Sequence, residues 1–380
     1  MVSIHRSLST TDKLDILARG SHYDLACACG MNTEDQRHRS RDGMWIYPVA
    51  VPDRNTPTYL FKTLLSNVCA NDCRYCPFRA GQDPRRCTLA PAEVVDTFFE
   101  YHRADRVRGL FLSSGVIGTP DQTMEQLNQT AALLRRREFK GYVHLKVIPG
   151  ASDAAIEEAV SLASAVSVNI EAPGEAAFRK LCSDKSYLDD VIRPMKLISR
   201  LTGPGGRHRR VTQTTQFVVG AADETDRQIV RYTQGLYQRL RLSRVYFTAY
   251  QRGLGDPELP GERAPHTNAD LLAREHRLYQ VDFLLRKYGF RAEEIPFEGE
   301  GRLSLAVDPK EVWADRNPGC FPVDVNRASR HQLLRVPGLG LVTVDRILGQ
   351  RKDHQVIRRL EDIGRPSKRL KKAGKYLRFS

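Results

Sequence analysis

The chain has no apolar run near the ~18 residues that a membrane-spanning helix requires. Its start, MVSIHRSLSTTDKLDIL, lacks the apolar core of a secretory leader, so the expected location is intracellular and cytoplasmic. No segment repeats with a solenoid period and no tract is compositionally biased, which excludes repeat arrays and low-complexity architectures. Cysteine is sparse, 8 in 380 residues, and three of the eight fall within eight positions. That clustering argues against a disulfide scaffold and for a metal site in a reducing compartment. Acidic residues are scarce in one region. From Asn326 to Ser380 there are 15 Lys/Arg against four acids, which accounts for +11 of the whole chain's +14. A local excess of that size points to a polyanionic partner, nucleic acid first, with a solvated basic tail as the alternative.

What is present reads as a globular α/β protein. Hydrophobic residues at 41% and charged residues at 27% fit neither a disordered tail nor a membrane protein, and 380 residues allow one large domain plus a smaller one, or two ordinary domains. Between 58 and 290, six β-branched or aromatic runs predict strands: 58–66, 109–114, 142–148, 165–170, 211–219 and 244–250. Between them lie segments with helical spacing and start signals. Pro91 suits the first turn of a helix to about 106, Ser152 caps 153–163 and Asn268 caps 269–288. Segments near 121–138, 189–201 and 223–241 also read as helices. Alternation of this kind implies a parallel sheet with helices outside, and six strands fall short of the eight of a closed barrel. An open, partial barrel is expected over 58–290. Residues 1–57 read as an extension packing on it, with a helix near Lys13–Tyr23 and with Pro48, Pro52 and Pro57 punctuating the approach to the first strand. Residues 291–323 read as a connection, and 324–380 as a small all-α domain.

The sharpest local signal is CANDCRYC, which places Cys69, Cys73 and Cys76 as C-x3-C-x2-C directly after the first expected strand. Three thiolates from one loop suit three irons of a 4Fe-4S cluster, and no fourth cysteine stands nearby. Zinc is the alternative, although structural zinc usually recruits a second cysteine pair further on. This loop resembles the signature of the radical S-adenosylmethionine (SAM) superfamily, and Tyr75 matches the aromatic position before the last cysteine. The resemblance implies a partial (β/α)6 barrel and a 4Fe-4S cluster whose open iron is chelated by SAM. It also implies an electron donor such as flavodoxin or ferredoxin, and cleavage of SAM to a 5′-deoxyadenosyl radical that takes hydrogen from a substrate.

Further positions follow from the same resemblance. Ser113-Ser114-Gly115 ends the second expected strand, where the superfamily has a glycine-rich turn for the amino group of methionine; this chain has SSG rather than GGE. Asn169 and Glu171 end the fourth, placed for ribose hydroxyls or the methionine amine. Val219-Gly220 loosely resembles the end of the adenine-contacting strand. Lys146 and Gln216 lie on strands whose faces the sequence leaves open. Arg135-Arg136-Arg137 and Arg207–Arg210 precede strands, so they complement helix C-termini on the opposite side of the barrel. The Gly203–Gly206 turn lacks the Lys-Ser/Thr ending of a phosphate loop. Cys27 and Cys29, with Cys87, could hold a second cluster or be ordinary buried residues. Cys182 and Cys320 read as structural.

In DVNRASRHQLLRVPGLGLVTVDRILGQRK a short helix near 328–335 meets Pro337-Gly338-Leu339-Gly340 and then a second helix near 341–350. Amides at the second helix start form an anion site suited to phosphate. The segment resembles the helix-hairpin-helix motif of DNA-repair and DNA-uptake proteins, and a degenerate copy follows at 360–373. Gly338, Leu339, Gly340, Arg346, Arg351, Lys352, Lys371 and Lys372 are the expected nucleic-acid contacts, with protein contact as the alternative use. A radical SAM barrel joined to such a hairpin resembles a bacterial family described as DNA modification or repair radical SAM proteins. KLDILARGSHYDLACACG and GLFLSSGV extend that resemblance over nearly the full chain. DNA is therefore the expected substrate, with RNA possible because a backbone-reading hairpin does not exclude it. A nucleic-acid-binding protein with a structural or redox-sensing cluster is the alternative from another class.

Overall fold

The computed structural model describes residues 8–21, 45–49 and 58–380. They divide into two compact units. One holds the residues up to Glu224 together with Gly235–Leu271, and the other holds Thr225–Gln234 and Leu272–Ser380.

The first unit begins with α1 (Thr10–Ser21), β1 (Ile46–Val49) and β2 (Thr58–Leu64). Then follow α2 (Pro91–Arg103), β3 (Gly109–Ser113), α3 (Pro120–Arg136), β4 (Tyr142–Lys146), α4 (Asp153–Leu162) and β5 (Ala165–Ser167). Next come α5 (Glu175–Leu181), a π-helical turn Tyr187–Ile192, α6 (Arg193–Thr202), β6 (Thr212–Val219), α7 (Asp226–Leu240), β7 (Arg244–Ala249) and α8 (Pro260–Arg263). α7 and α9 (Asn268–Lys287) each contribute residues to both units. One seven-stranded sheet runs β1 to β7 in chain order. All six expected strands are present and pair in parallel, each with the next, as a curled half-barrel. β1 was not expected. It pairs antiparallel with β2 at the sheet edge, where Pro48, opposite Tyr59, gives up no ladder bond that the sheet needs.

Start signals explain the helices. Pro91 occupies the first turn of α2, and Thr119 and Gln122 exchange the two bonds of a capping box at α3. Ser152 Oγ accepts the Ala155 N–H. Asn268 does not cap α9. Thr267 does, accepting the Asp270 N–H at 3.1 Å, while the Asn268 carboxamide accepts from Arg252 N–H. Arg135 is spent on carbonyls of Leu162, Phe139 and Gly141 at the far end of α3, a structural role.

Strand alternation sorts chemistry by face. Phe61, Leu110, Leu112, Phe217 and Phe247 are fully buried, while Lys62, Phe111, His144, Lys146, Ser167 and Gln216 line cavities. Lys146 and Gln216, left open by the sequence, thus share the polar face with Asn169.

In the second unit, residues 291–323 hold a 3-10 turn (Ala292–Glu294) and α10 (Pro309–Arg316). Then come β8 (Val323–Asp324), α11 (Arg330–Arg335), α12 (Leu341–Lys352), α13 (Leu360–Ile363), α14 (Lys368–Gly374) and β9 (Leu377–Arg378). Two helical pairs, α11–α12 and α13–α14, share one core built on Leu333, Leu334, Val344, Ile347, Ile363 and Leu370. β8 and β9 pair in parallel and close the ends of the segment onto each other. Arg335 is buried beneath α10: it pairs with Glu294 at 2.8 Å and lies 3.6 Å from the centre of the Phe290 ring.

Candidate active site

The cysteine loop continues from β2 and is stitched to the end of β3. Leu65 N–H donates to Ser113 O at 2.7 Å, Gly115 N–H to Ser66 O at 2.7 Å and Ala70 N–H to Val116 O at 2.9 Å. Gly115 permits this approach, because a Cβ there would stand 2.3 Å from Val68 O and 3.2 Å from Cys69 Cβ. On its other side the loop is tied to later segments. Arg74 N–H donates to Leu181 O at 2.7 Å, and the Arg74 guanidinium pairs with Asp256 at 3.1 Å. Arg86 braces it from within, donating to carbonyls of Asn67, Phe78, Arg79 and Gln82.

Cys69, Cys73, Cys76, Tyr75, Ser113, Ser114, Gly115, Asn169 and Glu171 all line one cavity of about 190 Å³ at the C-terminal ends of the strands. These nine residues expected at the cofactor site are thus brought together, whereas Val219 is buried in the sheet and neither it nor Gly220 lines the cavity. Among the described residues no three His, Cys, Asp or Glu side chains stand close enough to hold a single metal ion. Thiolates on three different irons of a cluster need no such closeness.

Glu171 carries the clearest mark of a constrained site. Its φ is +60°, a left-handed conformation unusual for a non-glycine residue. Two bonds hold it there, Glu171 N–H to Gln216 O at 3.0 Å and Val218 N–H to Glu171 O at 2.9 Å. Tyr75 lies beside its carboxylate, and burial raises the pKa of both groups. Glu171 Oε2 and Ser114 Oγ are nonetheless buried without a hydrogen-bond partner. Buried polar atoms are normally satisfied, so two orphans in one cavity fit a ligand that carries amino or hydroxyl groups.

Three residues at the site were missed in the sequence. Cys182, read as structural, lies against Cys73, and hydrogen bonding with that thiol, together with the charge of Lys185, brings Cys73 down to about 6 against the cost of burial. Burial pushes Cys76 up to about 12. Lys185 Nζ donates to Cys73 Sγ at 3.0 Å. Burial would raise Asp72, but bonds from Cys182, Ser183 and Asp184 bring it to about 2. These residues stand about 110 positions apart in the chain, and no local pattern announces their meeting. Cys87 is buried away from the cavity, its N–H donating to Asn67 Oδ1; Cys27 and Cys29 lie outside the described residues. Cys320 is exposed.

In the second unit the expected nucleic-acid contacts separate into two sets. Gly338, at φ +87°, packs on α14: a Cβ there would meet Arg369 O at 2.2 Å. Leu339 is buried, and its carbonyl accepts from the buried Lys310 ammonium at 2.7 Å. Arg346 and Arg351 donate to Ile363 O and Ala328 O, and Lys372 pairs with Glu311 at 2.5 Å. Gly340 is the residue before α12, with room beside it. Lys352 and Lys371 are exposed, as are Lys368, Arg369 and Lys375.

A search of curated protein sequences finds no match. Among solved structures, the chain resembles HydG, a maturase of the FeFe-hydrogenase, at 11% identity and a TM-score of 0.43, over 57% of this chain and 48% of that one. It resembles HydG from Carboxydothermus hydrogenoformans at 14% identity and 0.47, over 83% and 76%. For methylornithine synthase (PylB) the values are 12% and 0.43, over 72% and 74%. The chain thus spans about half the length of the first of these. Among the described residues no helix is long and apolar enough to cross a membrane. The sequence profile of the Radical SAM superfamily matches residues 63–234, from within β2 into α7. That stretch carries the cysteine loop, the Ser113–Gly115 turn and the strained Glu171, and it is a radical SAM domain, of a superfamily of enzymes whose cofactors are a 4Fe-4S cluster and S-adenosylmethionine.

Proposed function

We propose that Cys69, Cys73 and Cys76 hold a 4Fe-4S cluster, that Ser113–Gly115, Asn169 and Glu171 receive SAM beside it, and that the enzyme modifies or repairs DNA. When bound and reduced, this pair of cofactors supplies homolytic hydrogen-atom abstraction. The rest is the work of the chain: the braced loop presents three sulfurs to one cavity, and Glu171 and Ser114 offer acceptors toward it. The observation that carries the cofactor half is the pair of orphaned polar atoms, Glu171 Oε2 and Ser114 Oγ, in the cavity lined by the three cysteines.

The nucleic-acid half is supported by the second unit. Its two helical pairs share a core, and Lys352, Lys368, Arg369, Lys371 and Lys375 are left exposed around them. Contacts of this kind neutralise phosphate without reading sequence. Reconstituted protein, incubated without oxygen with genomic DNA, SAM and a reductant such as flavodoxin or ferredoxin, is expected to yield 5′-deoxyadenosine and an altered nucleoside. SAM cleavage with no altered nucleoside from DNA, but one from structured RNA, would move the substrate to RNA. Absence of SAM cleavage by the reduced, iron-loaded protein would leave a binding protein with a structural or redox-sensing cluster.

A further inference from the structure

We infer that Lys185 sets the reduction potential of the cluster, acting as a positioning residue through Cys73; the inference rests on the cluster reading above. Its Nζ donates to Cys73 Sγ at 3.0 Å, so one ligand sulfur would carry both an iron and a charged N–H donor. Potentials of iron–sulfur clusters respond to hydrogen bonds on their sulfurs and to nearby charge. Reduction adds negative charge to the cluster, and a cation in contact with a ligand sulfur favours that state. Lys185 therefore raises the potential, making the cluster easier to reduce.

The backbone around Lys185 shows that the contact is built. On the upstream side the Asp72 carboxylate, next to Cys73, accepts from Cys182 Sγ at 2.8 Å, Ser183 N–H at 2.9 Å, Asp184 N–H at 3.3 Å and the Ser183 hydroxyl. On the downstream side Ser186 begins the π-helical turn: its N–H donates to Asp190 Oδ2 at 2.7 Å and its Oγ accepts the Asp189 N–H at 3.1 Å. Lys185 is the residue between these two clamps. Holding a lysine head group in one place costs backbone as well as side-chain freedom. Here the neighbouring backbone is already fixed, so the backbone part of that cost is met by the clamps and only the side chain remains to be ordered. The clamp also fixes which sulfur is touched, since Asp72 and Cys73 are adjacent in the chain.

The test uses the full chain, wild type beside Lys185→Met, Lys185→Gln and Lys185→Arg, each reconstituted without oxygen. Iron and sulfide are counted, the reduced cluster is observed by electron paramagnetic resonance, and its midpoint is titrated in the absence of SAM. SAM affinity is measured separately by equilibrium binding. Lys185→Met is expected to shift the reduction equilibrium against the reduced cluster by about tenfold, about 59 mV for one electron. Lys185→Arg should keep the wild-type midpoint, and Lys185→Gln should fall between. SAM affinity should change little in all three. An unchanged midpoint in Lys185→Met would overturn the inference, and if SAM affinity falls at the same time, the ammonium belongs to the methionine carboxylate instead. Where Lys185→Met fails to hold iron, Lys185→Gln carries the comparison. Loss of iron from both, with retention in Lys185→Arg, also overturns it, because the charge then serves assembly. Failure of the cluster reading is separate, since the wild-type protein would then show no 4Fe-4S signal at all.

Discussion

At the scale of single residues, the site depends on positions with no room for alternatives. Gly115 is one. Adding a methyl group drives it into Val68 O and the Cys69 side chain, so the cysteine loop must move. Gly115→Ala is expected to fold but to lose cluster loading, read as iron and sulfide per chain and as the visible absorbance after reconstitution. Each of Cys69→Ala, Cys73→Ala and Cys76→Ala should abolish SAM cleavage outright, and stoichiometric zinc without iron in the wild-type protein would contradict the cluster. Glu171 is held in a left-handed conformation by bonds from its own backbone, so its carboxylate can be altered without freeing the chain. Glu171→Gln removes a charged acceptor and should weaken SAM binding by about 2 kcal/mol, roughly thirtyfold, while the cluster spectrum stays as it was. Unchanged affinity in that variant would remove Glu171 from the cofactor site.

At the scale of elements, the hairpin in the second unit is held from below. Lys310 is buried, donates to the Leu339 carbonyl in the bend and lies 4.6 Å from the centre of the Tyr288 ring. Burial lowers its pKa to about 7 from the 10.5 of an exposed lysine. Unfolded chain therefore holds a proton between pH 7 and about 10.5 that the folded unit has released, and stability rises with pH across that window. Below pH 7 both states are protonated and the burial cost is fully present. Denaturant unfolding of the full chain at pH 7 and pH 9.5 should show this rise for wild type and a flatter response for Lys310→Met. Equal slopes would mean that Lys310 does not titrate there. Gly338→Glu would break the packing of the bend on α14; Gly340→Glu is the cleaner probe of phosphate binding, since a Cβ there meets only the Tyr288 hydroxyl, at 3.6 Å.

Elements also differ in how far the sequence announces them. Six parallel strands were legible because each is a short β-branched or aromatic run bounded by turn residues, buried on both sides. β1 was not, because four residues that include Pro48 look like a break rather than an edge strand. The cysteine loop, the Ser113–Gly115 turn and Glu171 could be placed from their positions at strand ends. Asp72, Cys182 and Lys185 could not, since their meaning lies in a contact across about 110 residues that leaves no spacing rule. In the hairpin, the motif and its charge make Arg346, Arg351 and Lys372 expected nucleic-acid contacts. In the fold they satisfy carbonyls and Glu311, an outcome that charge counting cannot foresee.

For the whole molecule, the basic excess lies in the second unit and the cavity with its cysteines in the first. Replacing Lys368, Arg369 and Lys371 together by Ala should lower affinity for duplex DNA to a similar degree on unrelated sequences, and iron content should be retained. In a log–log salt plot the wild-type affinity should fall by about 0.9 per phosphate neutralised, and the triple variant should show a shallower slope. Identical slopes would place the DNA contact elsewhere.

The strand order of the half-barrel has a consequence for how the protein is made. Because neighbours in the sheet are neighbours in the chain, each strand can dock on its predecessor as it leaves the ribosome, without waiting for distant partners. The cysteine loop follows the first of the parallel strands, so it emerges early. Yet its fasteners come late: Leu181 and Lys185 emerge more than 100 residues after it, and Asp256, which holds Arg74, 182 residues after. Until those residues emerge the nascent loop lacks these ties, and its thiols are less protected from oxidants and stray metals. Faithful loading with iron and sulfide therefore belongs after Asp256 has emerged and the loop is tied on both sides.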